Sequence, residues 1–198
     1  MIAINGTEYH RPLLVFAMKE EAGDAFTEFR TIITGIGKIN AAYHLIRALS
    51  TEEKPDIIIN LGTAGSAAFS RGEVVCINGF VQRDMDVSPL GIPKYKTPFS
   101  EDPIVLESAV EFFSLPKAVC GTGDSFETQH EEDLYNVVDM EAYALAVVAK
   151  HENIPFLCLK YISDGADDNA VGDWKDEVKK ASLALKEALM IETKKAPH

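Results

Sequence analysis

The stretch VVDMEAYALAVVAKHENIPFLCLKYISDGADD, residues 137–168, decides the fold. Its middle joins a helix, running from about Asp139 to His151, to a short apolar run, PFLCLKYIS. That run has the length and continuous hydrophobicity of a strand buried on both faces, the signature of a sheet covered by helices. The helix opens on Asp139 and Glu141, and the strand closes on Asp164, Asp167 and Asp168. A buried α/β unit with carboxylates at both ends requires a reason for each of them.

Working outward, the same alternation repeats. LLVFA (13–17), DIIINLG (56–62), GEVVCINGFV (72–81) and KAVCGTG (117–123) read as further buried strands. KINAAYHLIRALS follows TIITGIG and carries Ile39, Ala42, Tyr43, Ile46 and Leu49 at helical spacing. A last amphipathic helix starts near Trp174 and fades into KKAPH. The expectation is an α/β fold: a single domain spanning residues 1–198, with a central mixed β-sheet flanked by helices. The stretch from Gln82 to Asp102, with Pro89, Pro93 and Pro98 inside it and Pro103 just beyond, reads as a long excursion. Such loops are often functional or lie at interfaces.

Composition narrows the function classes. The 198 residues are 46% hydrophobic and 25% charged, enough apolar material for one large core. The net charge of −12 comes with no basic cluster, which argues against nucleic acid and anionic membranes as partners. Cys76, Cys120 and Cys158 each sit in or beside an apolar run, and no metal-binding spacing occurs. They read as small buried hydrophobes in a reducing compartment, and neither a metal nor a cofactor is expected. Without a signal-peptide pattern or an apolar run of membrane-spanning length, the expected location is cytoplasmic.

In open α/β sheets, ligands sit at the carboxyl ends of strands. Here those ends read MKEE (18–21), LGTAGS (61–66), TGDSFET (122–128) and SDGADD (163–168), all polar or glycine-rich. GIGK (35–38) fails as a phosphate loop, because Ile32 and Ile39 stand where Gly and Ser or Thr are required. A tight strand-to-helix turn is the better reading. GTAGS either lets the backbone approach a ligand or is a plain turn. Asp139 fits a helix N-cap; Glu141 either favours the helix dipole or points into a pocket, where it would accept hydrogen bonds from two adjacent hydroxyls. Asp164 comes first after the apolar run, so it is the acid expected to be desolvated, which suits a general acid. Asp167 and Asp168 serve equally as caps of the final helix. The five histidines form no pattern.

AMKEE, TGIGKINAA, PDIIINLGTAG, GDSF, VDMEAYA and IPF…ISDGAD together resemble the nucleoside phosphorylase and nucleosidase superfamily, in family order from Leu13 to Trp174. The nearest branch is the 5′-methylthioadenosine/S-adenosylhomocysteine nucleosidases. The resemblance implies hydrolysis of the N-glycosidic bond of a purine nucleoside, 5′-methylthioadenosine or S-adenosylhomocysteine first, with release of adenine, and another purine nucleoside, futalosine-type compounds included, as the alternative. Asp164 would protonate N7 of the departing base, with Ser163 orienting it. Glu141 would hold the ribose hydroxyls beside the backbone of Met140. Glu21 would activate water, aided by Thr63. Phe126 would stack on the purine, and Met18 and Trp174 would line the 5′ pocket. Val87, Leu90 and Ile92 would close that pocket on a neighbouring subunit, implying a homodimer. The chain departs from its nearest relatives at Lys160, where they carry Arg, and at Leu90, where an aromatic is common. It is also trimmed between Phe99 and Asp139.

The same fold supports phosphorolysis, which needs cations for a dianionic nucleophile. Here the first strand leads into the acidic AMKEE, and Asn60 rather than Arg precedes LGTAG, so hydrolysis is favoured. A non-catalytic nucleoside-binding protein is the alternative from another class; it would tolerate loss of Asp164 or Glu21, and both are present.

Overall fold

The computed structural model describes residues 1–51, 53–127, 133–166 and 170–194; within the last segment it describes the side chains of residues 174 and 177–191. The chain opens on a hairpin of β1 (Ile2–Ile4) and β2 (Thr7–Tyr9). It turns at Asn5 and Gly6, whose φ angles are 49° and 84°. Asn-Gly is the pair that tolerates two positive φ values in succession, and it makes this turn. The main sheet takes β3 (Pro12–Phe16), β4 (Thr31–Ile33), β5 (Ile57–Gly65), β6 (Val74–Gln82), β7 (Leu106–Glu107), β8 (Lys117–Thr122), β9 (Val137–Asp139) and β10 (Phe156–Asp164). The helices are α1 (Lys19–Ala22), α2 (Lys38–Thr51), α3 (Ala142–His151) and α4 (Ala170–Lys194).

The sheet is mixed, as expected, and its pairings return on themselves. β5 pairs with β10 in parallel, β10 with β6 antiparallel, β6 with β8 and β8 with β9 in parallel, and β9 again with β5 through Gly65 and Val138. β3 and β4 extend the sheet in parallel from β5. Two apolar layers cover it. Ala41 and Leu45 of α2 and Leu145, Ala146 and Ala149 of α3 pack with Ile58, Ile77 and Cys158 on one side. Ala181, Leu185 and Leu189 of α4 pack with Ile57, Ile59, Leu157 and Leu159 on the other. Alternation along β5 and β10 sends successive side chains to opposite layers, so both strands are apolar almost throughout.

Two boundaries differ from the sequence reading. The helix expected from Asp139 begins at Ala142: Asp139 ends β9 and Glu141 is the N-cap residue, without a side-chain capping bond. Asp139 still performs a capping task, because its Oδ2 accepts the Ala142 N–H at 2.9 Å from the end of the strand. The final helix begins at Ala170, which puts Trp174 inside α4 rather than at its start. The Gln82–Asp102 excursion is irregular apart from a 3-10 turn at Ser88–Leu90. Among the described residues, no helix is long and apolar enough to cross a membrane.

Candidate active site

Glu21 is held by the end of β5. Its Oε1 accepts the Thr63 N–H at 2.7 Å and the Thr63 hydroxyl at 2.8 Å, and its Oε2 accepts the Met18 N–H at 3.2 Å. Trp174 Nε1 donates to Thr63 Oγ1 at 3.1 Å, tying α4 to the same group. Gly62 makes room for this approach: a Cβ there would lie 3.2 Å from Glu21 Oε1 and 3.4 Å from Lys160 Nζ. Gly65 does the same at the other end of the motif, where a Cβ would fall 2.5 Å from Asp164 Oδ1. Close approach of two carboxyl groups, rather than a special φ, is why glycines stand in GTAGS.

Asp164 is buried at the end of β10. Ser163 Oγ donates to its Oδ2 at 2.8 Å, and the Ala166 N–H donates to its Oδ1 at 3.0 Å. Glu141 is also buried, and its Oε1 accepts the Gly37 N–H at 2.8 Å. Gly35 and Gly37 have φ angles of 83° and 95°, so GIGK is the tight turn expected. It also presents a backbone donor to Glu141, a task invisible in the letters.

Beneath Glu141 lies an ion pair. Lys160 Nζ is 2.8 Å from Asp139 Oδ2, and the two side chains are 2% and 1% exposed. Thr122 Oγ1 donates to Asp139 Oδ1 at 2.6 Å, and the Cys120 thiol lies 3.3 Å from the same oxygen. Burial alone would push the Asp139 carboxyl up, but the Lys160 ammonium and these donors outweigh it and hold it below the usual carboxylate range. Burial opposes the Lys160 charge in turn, yet Asp139 holds that ammonium well above its ordinary value. Glu141 goes the other way: burial, reinforced by the negative Asp139, pushes it up to about 8.

Glu21, Asp139, Glu141 and Asp164 line one cavity of about 270 Å³. Of the expected site residues it is lined by Met18, Glu21, Thr63, Phe126, Met140, Glu141, Ser163, Asp164 and Trp174. Val87 and Leu90 do not line it; Leu90 sits on the 3-10 turn and is 75% exposed. Asp167 and Asp168 lie outside the described residues. Ile36, Arg83, Glu127 and Val138 also line the cavity and were not anticipated. Among the described residues, no group of three or more His, Cys, Asp or Glu is arranged to hold a metal ion.

A model of the phosphorylase superfamily matches residues 26–191. The chain belongs to this superfamily. It is 31% identical to the 5′-methylthioadenosine/S-adenosylhomocysteine nucleosidase of Buchnera aphidicola subsp. Schizaphis graminum, over 85% of this chain and 80% of that one. It is 36% identical to the enzyme of the same name from Listeria welshimeri, over 69% of each. Among solved structures, a Helicobacter pylori nucleosidase of that name superposes with a TM-score of 0.83 at 19% identity, covering 94% of this chain and 99% of that one. The futalosine hydrolase of Helicobacter pylori gives 0.80 at 20% identity, covering 92% and 97%. Both structural likenesses speak to the superfamily fold alone.

The raised Glu141 carboxyl has a measurable consequence on this superfamily scaffold. A carboxyl whose folded pKa exceeds its ordinary 4.5 contributes stability at low pH that is lost as pH rises towards about 8. The urea midpoint of the wild-type protein is therefore expected to carry a falling limb across that window, and Glu141→Gln should flatten it. An identical pH dependence in the variant would show that Glu141 is not the group responsible.

Proposed function

We propose that the protein hydrolyses the N-glycosidic bond of 5′-methylthioadenosine and S-adenosylhomocysteine, releasing adenine. The observation that carries this reading is the convergence of Asp164, Glu141 and Glu21 on one cavity, each from a different part of the chain. The transition state places positive charge on the sugar and negative charge on the leaving base. In this reading Asp164, protonated, gives its proton to N7 as the C1′–N9 electron pair leaves with the base, and Ser163 orients it. Glu141 and the backbone of Met140 hold the ribose hydroxyls. A water attacks C1′ and gives its proton to Glu21, which Thr63 and Met18 keep aimed. Phe126 covers the base, and Met18 and Trp174 line the 5′ side.

Hydrolysis is preferred to phosphorolysis because Glu21 occupies the nucleophile side. Asn60 is buried and engaged with Val15 O at 3.1 Å, so it offers nothing to a phosphate. The nucleosidase names of the relatives support the same reading. The reading extends to a homodimer: Ile39, Tyr43 and Ile46 leave an exposed apolar stripe along α2, and Leu90 and Phe99 are exposed on the excursion. Val87, Leu90 and Ile92 would then complete the partner's 5′ pocket. Three free buried thiols accord with a cytoplasmic setting.

The test is to follow free adenine from methylthioadenosine with and without phosphate. Release independent of phosphate is expected. Release that requires phosphate would make the protein a phosphorylase, and no release from any purine nucleoside would make it a binding protein.

A further inference from the structure

We infer that Arg83 is a positioning residue, which clamps the segment 123–127 over the nucleobase end of the cavity; the inference rests on the reading just proposed. Arg83 follows β6, and its side chain is only 8% exposed. Its guanidinium reaches one short segment through several contacts. Nη1 lies 2.9 Å from Glu127 Oε2 and donates to Ser125 Oγ at 3.2 Å. Nη2 donates to the Ser125 carbonyl and, at 3.5 Å, to that of Gly123. The side chain packs closely against that backbone: a Cβ at Gly123 would meet Arg83 Cζ at 2.9 Å and Cγ at 3.0 Å. The residue next in sequence also holds the same segment. Asp84 Oδ2 accepts the Asp124 N–H at 3.0 Å, and Asp84 Oδ1 accepts from Lys38 Nζ at 2.5 Å. Asp124 Oδ1 accepts the Lys38 N–H at 2.8 Å, closing the arrangement.

Apolar packing does not do this work. The segment belongs to no helix or strand, and Phe126, which lines the cavity from it, is 46% exposed. A half-exposed ring on irregular backbone is aimed by whatever fixes that backbone, and here the fixing groups are polar. A planar guanidinium makes several directed bonds at once, which a lysine ammonium on its flexible stem does not reproduce.

The experiment separates the two halves of the substrate. Calorimetric titration of adenine and of methylthioribose into wild-type protein and Arg83→Lys is expected to raise the Kd for adenine about tenfold, the loss of a charged hydrogen bond. The Kd for methylthioribose should stay unchanged, and methylthioadenosine turnover should lose in KM more than in kcat. Unchanged adenine binding, or equal weakening of both halves, overturns the clamp. If Arg83→Lys does not fold, Glu127→Gln decides: a smaller loss of about threefold for adenine alone is expected, and no loss overturns the inference. Wild-type protein that binds neither half would overturn the proposed function and the clamp together.

Discussion

Replacing Asp164 with Asn is expected to lower turnover by roughly 10²- to 10⁴-fold, the usual worth of a positioned general acid, while nucleoside affinity changes little. The asymmetry follows from where the group acts. Asn keeps the size of Asp: its Oδ1 can accept the Ala166 N–H while its amide donates to Ser163 Oγ, whose own proton can turn to Ala64 O, and what it lacks is the acidic proton. The cavity therefore keeps its shape, and the ground-state complex loses nothing large. The loss falls on the step in which the base departs, because a proton delivered there stabilises the transition state and not the bound substrate. Steady-state adenine release gives kcat and KM, and calorimetry on the slow variant gives a true Kd. Turnover within tenfold of wild type would remove Asp164 from the acid's role. A large rise in Kd with unchanged kcat would instead make it a binding group.

Much of this was legible in the sequence, and the gaps have physical causes. β3, β5, β6, β8 and β10 are runs of buried apolar residues, which burial from both faces makes unmistakable. β7 and β9 are two and three residues long, too short for any period to appear. The β1–β2 hairpin leaves a single cue in the sequence, the Asn5-Gly6 pair. Asp164 and Glu141 stand out because acids at the ends of apolar elements need an explanation, whereas Ser163 is pointed to by the family resemblance alone. Gly37 does not stand out, since its contribution is a backbone N–H and carries no letter. Arg83 and Glu127 are isolated charges 44 residues apart, so nothing local announces that they meet. Asp139 caps α3, as its place in the sequence suggests, and is in addition half of a buried ion pair. One signal pointed there: Lys160 interrupts a nine-residue strand that is buried throughout, and an ammonium in such a place demands an opposite charge.

Breaking that pair is expected to destabilise the protein by about 3–5 kcal/mol, because the surviving charge is left buried. The two halves should not be equal. Asp139→Asn strands the Lys160 ammonium, for which Asp139 is the ion-pair partner among the described residues. Lys160→Met strands a carboxylate that still accepts from Thr122 and from the Ala142 N–H. Asp139→Asn should therefore be the more damaging, and the double variant should lose less than the sum of the two, by about 0.5–3 kcal/mol. Urea unfolding of the four proteins closes the cycle; additive losses would show that the pair is a neighbourly accident. The same cycle reaches the site. Glu141 is driven towards its protonated form by burial and by Asp139, and Lys160 is the charge that opposes them. With Lys160 gone and Asp139 kept, Glu141 should hold its proton to still higher pH, and the falling limb of stability should extend upward with it. Asp139→Asn removes a driving charge instead and should shift the limb down. Opposite displacements by two variants that both destabilise the fold would separate the electrostatic link from general loosening, since loosening alone moves both the same way.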